Sequence, residues 1–187
     1  MKIGLFFGTF DPVHLGHLNI GLSVLKTQPI DQIWFVLTPT SPFKINKQIS
    51  AKEHRLNMLS LALEQYDALI PSDIEFAMER PHYTSCTLRH ITAVYPKCKF
   101  VIIMGSDNYS NIQQWKDSNY ILDNFPICIY NRAGYSLFQL KNTIYIPGEN
   151  LSVSSSEIRN NITSSKTKKH LHTNVLQYIS NHSLYEK

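Results

Sequence analysis

The chain has 187 residues, 43% of them hydrophobic and 17% charged, with a formal net charge of +4. That composition excludes a disordered chain, and the length suits one domain over residues 1–187 with a sizeable core. The mild positive charge is scattered, which favours a small anionic ligand and gives no support to nucleic acid as a partner.

The first apolar run, Ile3 to Phe7, reads as a buried strand that enters a Gly/Pro turn, Gly8 to His14. Leu15, Leu18, Leu22 and Leu25 follow at alternating spacings of three and four, which places them on one helical face. Ile33 to Leu37 reads as a second buried strand. Ala51 to Leu63 reads as a helix, with Ser50 as its N-cap and Glu53 completing a capping box. Ile74-Glu75-Phe76 is expected to form a shorter strand, and Thr84 to Val94 a helix. Phe100 to Met104 is an uncharged strand ending in Gly105-Ser106-Asp107, where another helix begins. Pro126 to Tyr130 and Thr143 to Ile146 supply the last strands, and Ser154 with Glu157 forms a capping box that fixes a helix start. Lys166, Lys168 and Lys169 read as a solvated loop. The alternation predicts an α/β fold: a single Rossmann-like, doubly wound, mostly parallel sheet with helices on both faces. Ligands of such sheets sit beyond the carboxyl ends of the strands, so Gly8 and Gly105 are expected to line one crevice.

No apolar stretch reaches the length of a transmembrane helix, so no membrane partner is expected. The apolar run after Met1-Lys2 is too short for the core of a signal peptide. Cys86, Cys98 and Cys128 are odd in number and lack metal or redox spacing. Reduced thiols in the cytoplasm are the expectation.

The chemistry gathers at two helix starts. A strand, a Gly/Pro turn and a helix N-terminus together present outward N–H groups and a favourable dipole to an anion. His14 and His17 are three apart, so on the first turn of that helix they project to the same side. An isolated surface histidine or half of a metal site would use the same residue type. A zinc site, however, needs a third and usually a fourth ligand, and no Cys or His lies close by, so no protein metal site is expected. At the second start, Ser155 and Ser156 offer hydroxyls and N–H groups, and Arg159 a forked, permanently charged donor one turn on. Alone, that segment is an ordinary capped helix; beside the two histidines it completes a phosphate site.

The stretch Gly8-Thr9-Phe10-Asp11-Pro12-Val13-His14-Leu15-Gly16-His17 resembles the His-x-Gly-His signature of the nucleotidyltransferases related to class I aminoacyl-tRNA synthetases. Further segments are similar, in order along nearly the whole chain, to the nicotinate mononucleotide adenylyltransferases. They are Ser41-Pro42-Phe43-Lys44, His54 to Leu59, His82-Tyr83-Thr84 to Leu88, Gly105-Ser106-Asp107 with Trp115, and Asn131 to Gly134. Val153 to Arg159 resembles the family's Ile-Ser-Ser-Thr-x-Ile-Arg element, and Val175 to Tyr185 its terminal helix and Leu-Tyr. Phe43 and Cys86 depart from the family's histidine and aspartate, and Phe7 stands where a glycine is frequent.

The resemblance implies transfer of the adenylyl group of ATP to nicotinate mononucleotide, with Mg²⁺ carried on the ATP. It implies that His14, His17 and Arg159 are catalytic, and that Gly8, Thr9, Phe10, Gly105, Asp107, Ser155 and Ser156 bind ATP. Asp107 would accept hydrogen bonds from the ribose hydroxyls. Lys44 would meet the acceptor phosphate, while Tyr83, Thr84, Trp115 and the backbone of Lys116 would receive the pyridine ring and its carboxylate. A phosphate monoester has a second pKa of about 6 and is largely ionised at neutral pH, so the attacking group needs no general base. The competing readings are a relative acting on nicotinamide mononucleotide or phosphopantetheine, and a nucleotide sensor without turnover. The pattern suits a monomer or a homo-oligomer.

Overall fold

In the computed structural model, which describes residues 1–40, 49–131, 142–146 and 153–186, strands and helices alternate along the chain. The strands are β1 (Lys2–Gly8), β2 (Gln32–Leu37), β3 (Leu69–Ser72), β4 (Lys99–Gly105), β5 (Ile127–Tyr130) and β6 (Thr143–Ile146). They form one sheet in the order β3-β2-β1-β4-β5-β6, and every neighbouring pair is parallel. The order reverses between β1 and β4, which puts a crevice beyond their carboxyl ends.

The helices are α1 (Leu15–Thr27), α2 (Lys52–Leu63), α3 (Thr84–Val94), α4 (Ser106–Tyr109), α5 (Ser118–Asn124), α6 (Ser155–Asn160), α7 (Ser165–Lys168) and α8 (Thr173–Asn181). Alternate residues of each strand feed two separate cores. Phe6, Ile33, Phe35, Val101 and Ile103 pack with Leu18, Leu59, Ile158 and Val175 of α1, α2, α6 and α8. Ile3, Leu5, Val36 and Ile102 pack with Leu88 and Ile121 of α3 and α5 on the other face. Continuous apolar strands are what a sheet covered on both faces requires.

Three local expectations are corrected. Ile74–Ala77 is a 3₁₀ helix, and the strand lies just before it at Leu69–Ser72. Pro71 hides that strand from a pattern reading; it is tolerated because β3 is the sheet edge. The N-cap of α2 is Ala51, which has no side-chain acceptor. The helix starts at Lys52, one residue later than expected, so Ser50 stands one position too early to cap it, and its carbonyl accepts from Arg55 Nε at 2.9 Å. Lys166 and Lys168 belong to α7 rather than a loop, since the Ser164 hydroxyl caps that helix by accepting from the Lys166 N–H. Their side chains and that of Lys169 are nevertheless exposed.

Candidate active site

The turn after β1 is shaped by Phe10, whose φ of 44° lies in the left-handed region. That conformation costs a bulky residue roughly 1–2 kcal/mol. The ring is 2% exposed and packs against Phe6, Phe35 and His17 with centroids 5.7, 5.6 and 5.1 Å away. Burying a phenylalanine is worth about 2–3 kcal/mol, so packing outweighs the strain. A Cβ on Gly8 would lie 2.8 Å from the Phe10 ring, which is why the position must be glycine. Phe10 therefore acts as a buttress beneath the turn, and its ring supports His17.

His14 does not sit inside the first turn of α1; it is the extended N-cap residue, and His17 is three positions further on. The two rings still meet, with centroids 3.8 Å apart. The His14 N–H donates to His17 Nδ1 at 3.2 Å. A neutral His17 therefore carries its ring proton on Nε2, which makes that atom a donor.

Helix α6 docks onto the same turn from the far end of the chain. Ser154 caps it by accepting from the Glu157 N–H, as the sequence predicts. The Ser155 hydroxyl donates to the Pro12 carbonyl at 3.0 Å. Arg159 Nη1 donates to the Asp11 carbonyl at 2.5 Å and lies 3.6 Å from Asp11 Oδ2, while Nη2 donates to Ser156 Oγ at 3.2 Å.

A cavity of about 280 Å³ opens beyond β1 and β4. Gly8, Thr9, Phe10, His14 and His17 form one wall, and Ser155, Ser156 and Arg159 another. Asp107 reaches it from the start of α4 and is the one carboxylate among the described lining residues. Gly105 lies beneath: a Cβ there would stand 3.0 Å from the Tyr130 ring and would also crowd the Asp107 carboxylate.

The residues expected to receive the acceptor are not part of this lining. Tyr83 is the N-cap of α3 and Thr84 its first residue. Lys116 Nζ stands 4.6 Å over the Tyr83 ring, and Trp115 packs half-buried on the second core, the one shared by Phe7. Cys86 is a free thiol in the first turn of α3. Phe43, Lys44 and residues 132–134 lie outside the described residues.

The chain matches the cytidylyltransferase-like family model over residues 5–161. A protein of Flavobacterium johnsoniae named a probable nicotinate-nucleotide adenylyltransferase is 37% identical over 193 aligned positions, spanning the whole of both chains. This chain belongs to the nicotinate-nucleotide adenylyltransferase family. A relative of the same name from Christiangramia forsetii is 43% identical over 131 residues, covering 70% of this chain and 68% of that one. Among solved structures, the Plasmodium falciparum nicotinic acid mononucleotide adenylyltransferase complexed with NaAD superposes with a TM-score of 0.86. That match covers 99% of this chain and 97% of the other at 22% identity, a level that speaks for the shared fold.

Four polar residues outside the cavity lining of this adenylyltransferase-family protein escaped the reading of the sequence. Arg55 is 1% exposed and clamps three segments: Nε donates to Ser50 O at 2.9 Å, Nη1 to Thr9 O and Thr38 O at 2.9 Å each, and Nη2 to Pro39 O at 2.7 Å. Burial pulls its pKa below the ordinary guanidinium value, against the nearby charge of Asp11. The signal was an arginine on the same α2 face as Met58, Leu59 and Ala62. Asp11, 1% exposed, accepts from Tyr185 Oη at 2.7 Å. Burial pushes the Tyr185 phenol well above its usual pKa, and the Asp11 charge adds to that. Glu75, also 1% exposed, accepts from Thr87 Oγ1 at 2.7 Å. Burial raises its carboxyl to about 7, with the hydroxyls of Thr87 and Thr38 opposing.

Proposed function

We propose that this chain, as one nucleotidyltransferase domain over residues 1–187, transfers the adenylyl group of ATP to nicotinate mononucleotide. The products are deamido-NAD and pyrophosphate, a step of NAD biosynthesis. The observation that carries the reading is the union of His14, His17 and Arg159 on one cavity at the β1–β4 switch of a family member.

The acceptor's phosphate oxygen attacks the α-phosphorus of ATP in line, and pyrophosphate leaves. The nucleophile is already ionised near neutral pH, so the site has to align two anions and offset the charge that builds on phosphorus and on the leaving group. His17 Nε2 and His14 donate to the phosphate oxygens. Arg159 uses two of its five N–H donors on Asp11 and Ser156, and the rest of the fork meets the pyrophosphate with Ser155 and Ser156. The backbone of Gly8, Thr9 and Phe10 lines the triphosphate, and Asp107, above Gly105, takes the ribose hydroxyls. Lys44 meets the acceptor phosphate; Tyr83, Thr84, Trp115 and Lys116 receive the pyridine ring.

Among the described residues no three His, Cys, Asp or Glu side chains converge on one metal-sized site. A lone Asp107 in the lining suits a Mg²⁺ ion that keeps its waters and binds mainly through ATP oxygens, where it neutralises triphosphate charge. Among the described residues no helix is long and apolar enough to cross a membrane, and cytoplasmic residence is part of the proposal.

The test is pyrophosphate release with ATP and Mg²⁺, offering nicotinate mononucleotide, nicotinamide mononucleotide and phosphopantetheine in parallel. A strong preference for nicotinate mononucleotide supports the reading. Turnover of another acceptor overturns the substrate, and ATP binding without pyrophosphate release makes the chain a sensor.

A further inference from the structure

A buried carboxylate is costly unless its oxygens are held by donors. Asp11 is such a group, in the middle of the turn that lines the cavity. Its Oδ1 receives the Tyr185 hydroxyl at 2.7 Å and, at a longer 3.4 Å, the Ser50 N–H. Its Oδ2 faces Arg159 Nη1 at 3.6 Å. The phenol is therefore the shortest of these contacts, and it arrives from 174 residues away.

The tail that carries it is built to return. After α8, Ser183 and Tyr185 both adopt left-handed backbone, with φ of 47° and 68°, and the Leu184 N–H donates to the Ile179 carbonyl. Each such residue costs on the order of 1 kcal/mol, and the fold retains two within three residues. Leu184 and Tyr185, both half-buried, pack against the core face that contains Phe10 and Ile158 of α6. The tail thus closes on the same turn that Arg159 grips from the other side.

We infer that Tyr185 is a positioning residue for adenylyl transfer: its hydroxyl fixes the Asp11 carboxylate, whose Oδ2 lies 3.6 Å from the Arg159 guanidinium and orients it at the cavity wall beside the bond to the Asp11 carbonyl. This rests on the role given to Arg159 in the proposed function. Without the phenol, the Arg159 bond to the Asp11 carbonyl remains, but the Asp11 carboxylate keeps only one long N–H contact and an offset ion pair and can turn away from the guanidinium. The leaving pyrophosphate then meets a guanidinium that is present but less well aimed. Misplacement of a charged donor lowers turnover and leaves capture of the acceptor unchanged.

The experiment is a double-mutant cycle on the full chain with Tyr185→Phe, Arg159→Ala and both together, assayed in both directions. Phenylalanine keeps the ring, and thermal unfolding checks the fold. Tyr185→Phe is expected to lower kcat about tenfold, the effect of one lost hydrogen bond to a charged group, with the acceptor KM unchanged. In reverse, the KM for pyrophosphate rises severalfold and that for the dinucleotide does not. In the Arg159→Ala background, adding Tyr185→Phe changes kcat less than about twofold, because the route it acts through is gone. A chain ending at Leu184 is the second variant and is expected to behave the same way. Wild-type turnover in Tyr185→Phe, or losses that multiply in the double variant, overturns the inference. A wild-type chain without turnover on any acceptor fails the adenylyl-transfer reading first and removes this inference with it.

Discussion

The proposed triphosphate side and the proposed acceptor side of this molecule are built differently. On the triphosphate side, the turn after β1 is held by Arg55 through Thr9, by Arg159 through Asp11, and by Ser155 through Pro12. These are charge-assisted or buried bonds to backbone carbonyls, which fix the chain itself rather than one side chain. On the proposed acceptor side, Tyr83 and Thr84 open α3 on the opposite core face, and Lys116 is linked to Tyr83 as a cation held 4.6 Å over its ring. Lys116 is exposed, and exposed contacts of this kind are worth about 0.5–1 kcal/mol. On the proposed assignment, phosphate meets a turn held by strong bonds and the acceptor meets a surface held by weaker ones.

The contrast can be broken at its strongest point. Arg55→Met removes the donor to four carbonyls in three segments and should destabilise the chain by about 3 kcal/mol or more, read from the urea midpoint. Arg55→Lys should fail to restore it, since an ammonium cannot span the fork. A loss below about 1 kcal/mol would deny the clamp.

Next in size is Glu75. Its carboxyl titrates near 7 in the folded chain against an ordinary 4.5, so the folded state keeps a proton that the unfolded chain has already released. The stability tied to that proton is complete below pH of about 4.5 and is lost as pH rises through about 7, a change of about 3 kcal/mol. Glu75→Gln mimics the neutral acid and should be the more stable protein at pH 8, with a flatter stability curve between those limits. Parallel curves for the two proteins would contradict a neutral Glu75.

His17→Ala should lower kcat by about a hundredfold, the order found for losing one aimed donor to a transition-state oxygen. Its melting temperature should shift by only a few degrees, and unchanged turnover in a folded variant would remove His17 from the mechanism. The smallest effect belongs to the acceptor side. Lys116→Ala should raise the acceptor KM by about two- to fivefold and leave the ATP KM alone, as initial-rate kinetics would show. An equal rise in both would place Lys116 on the triphosphate instead.

The sequence was most legible where function is local. His14 and His17 lie within one turn of each other, and Ser154 and Glu157 cap a helix from three residues apart, so both patterns survive without a fold. Strands β1, β2, β4, β5 and β6 showed as apolar runs because a sheet covered on both faces needs them. Strand β3 did not, since an edge strand can carry Pro71. Arg55 and Glu75 were passed over because a charged residue normally signals solvent, and only burial shows what each is bonded to.

By itself, then, the sequence determined the alternation of elements, the reaction class and the two segments proposed to face phosphate, all set by residues within a few positions of each other. Tertiary structure decided which distant groups hold those segments in place. Asp11 meets Tyr185 across 174 residues and Arg159 across 148, and Arg55 reaches back 46 to Thr9. Such pairs leave no periodicity to read, because they arise where the parallel sheet ends its strands on one edge and the last helices fold back over them.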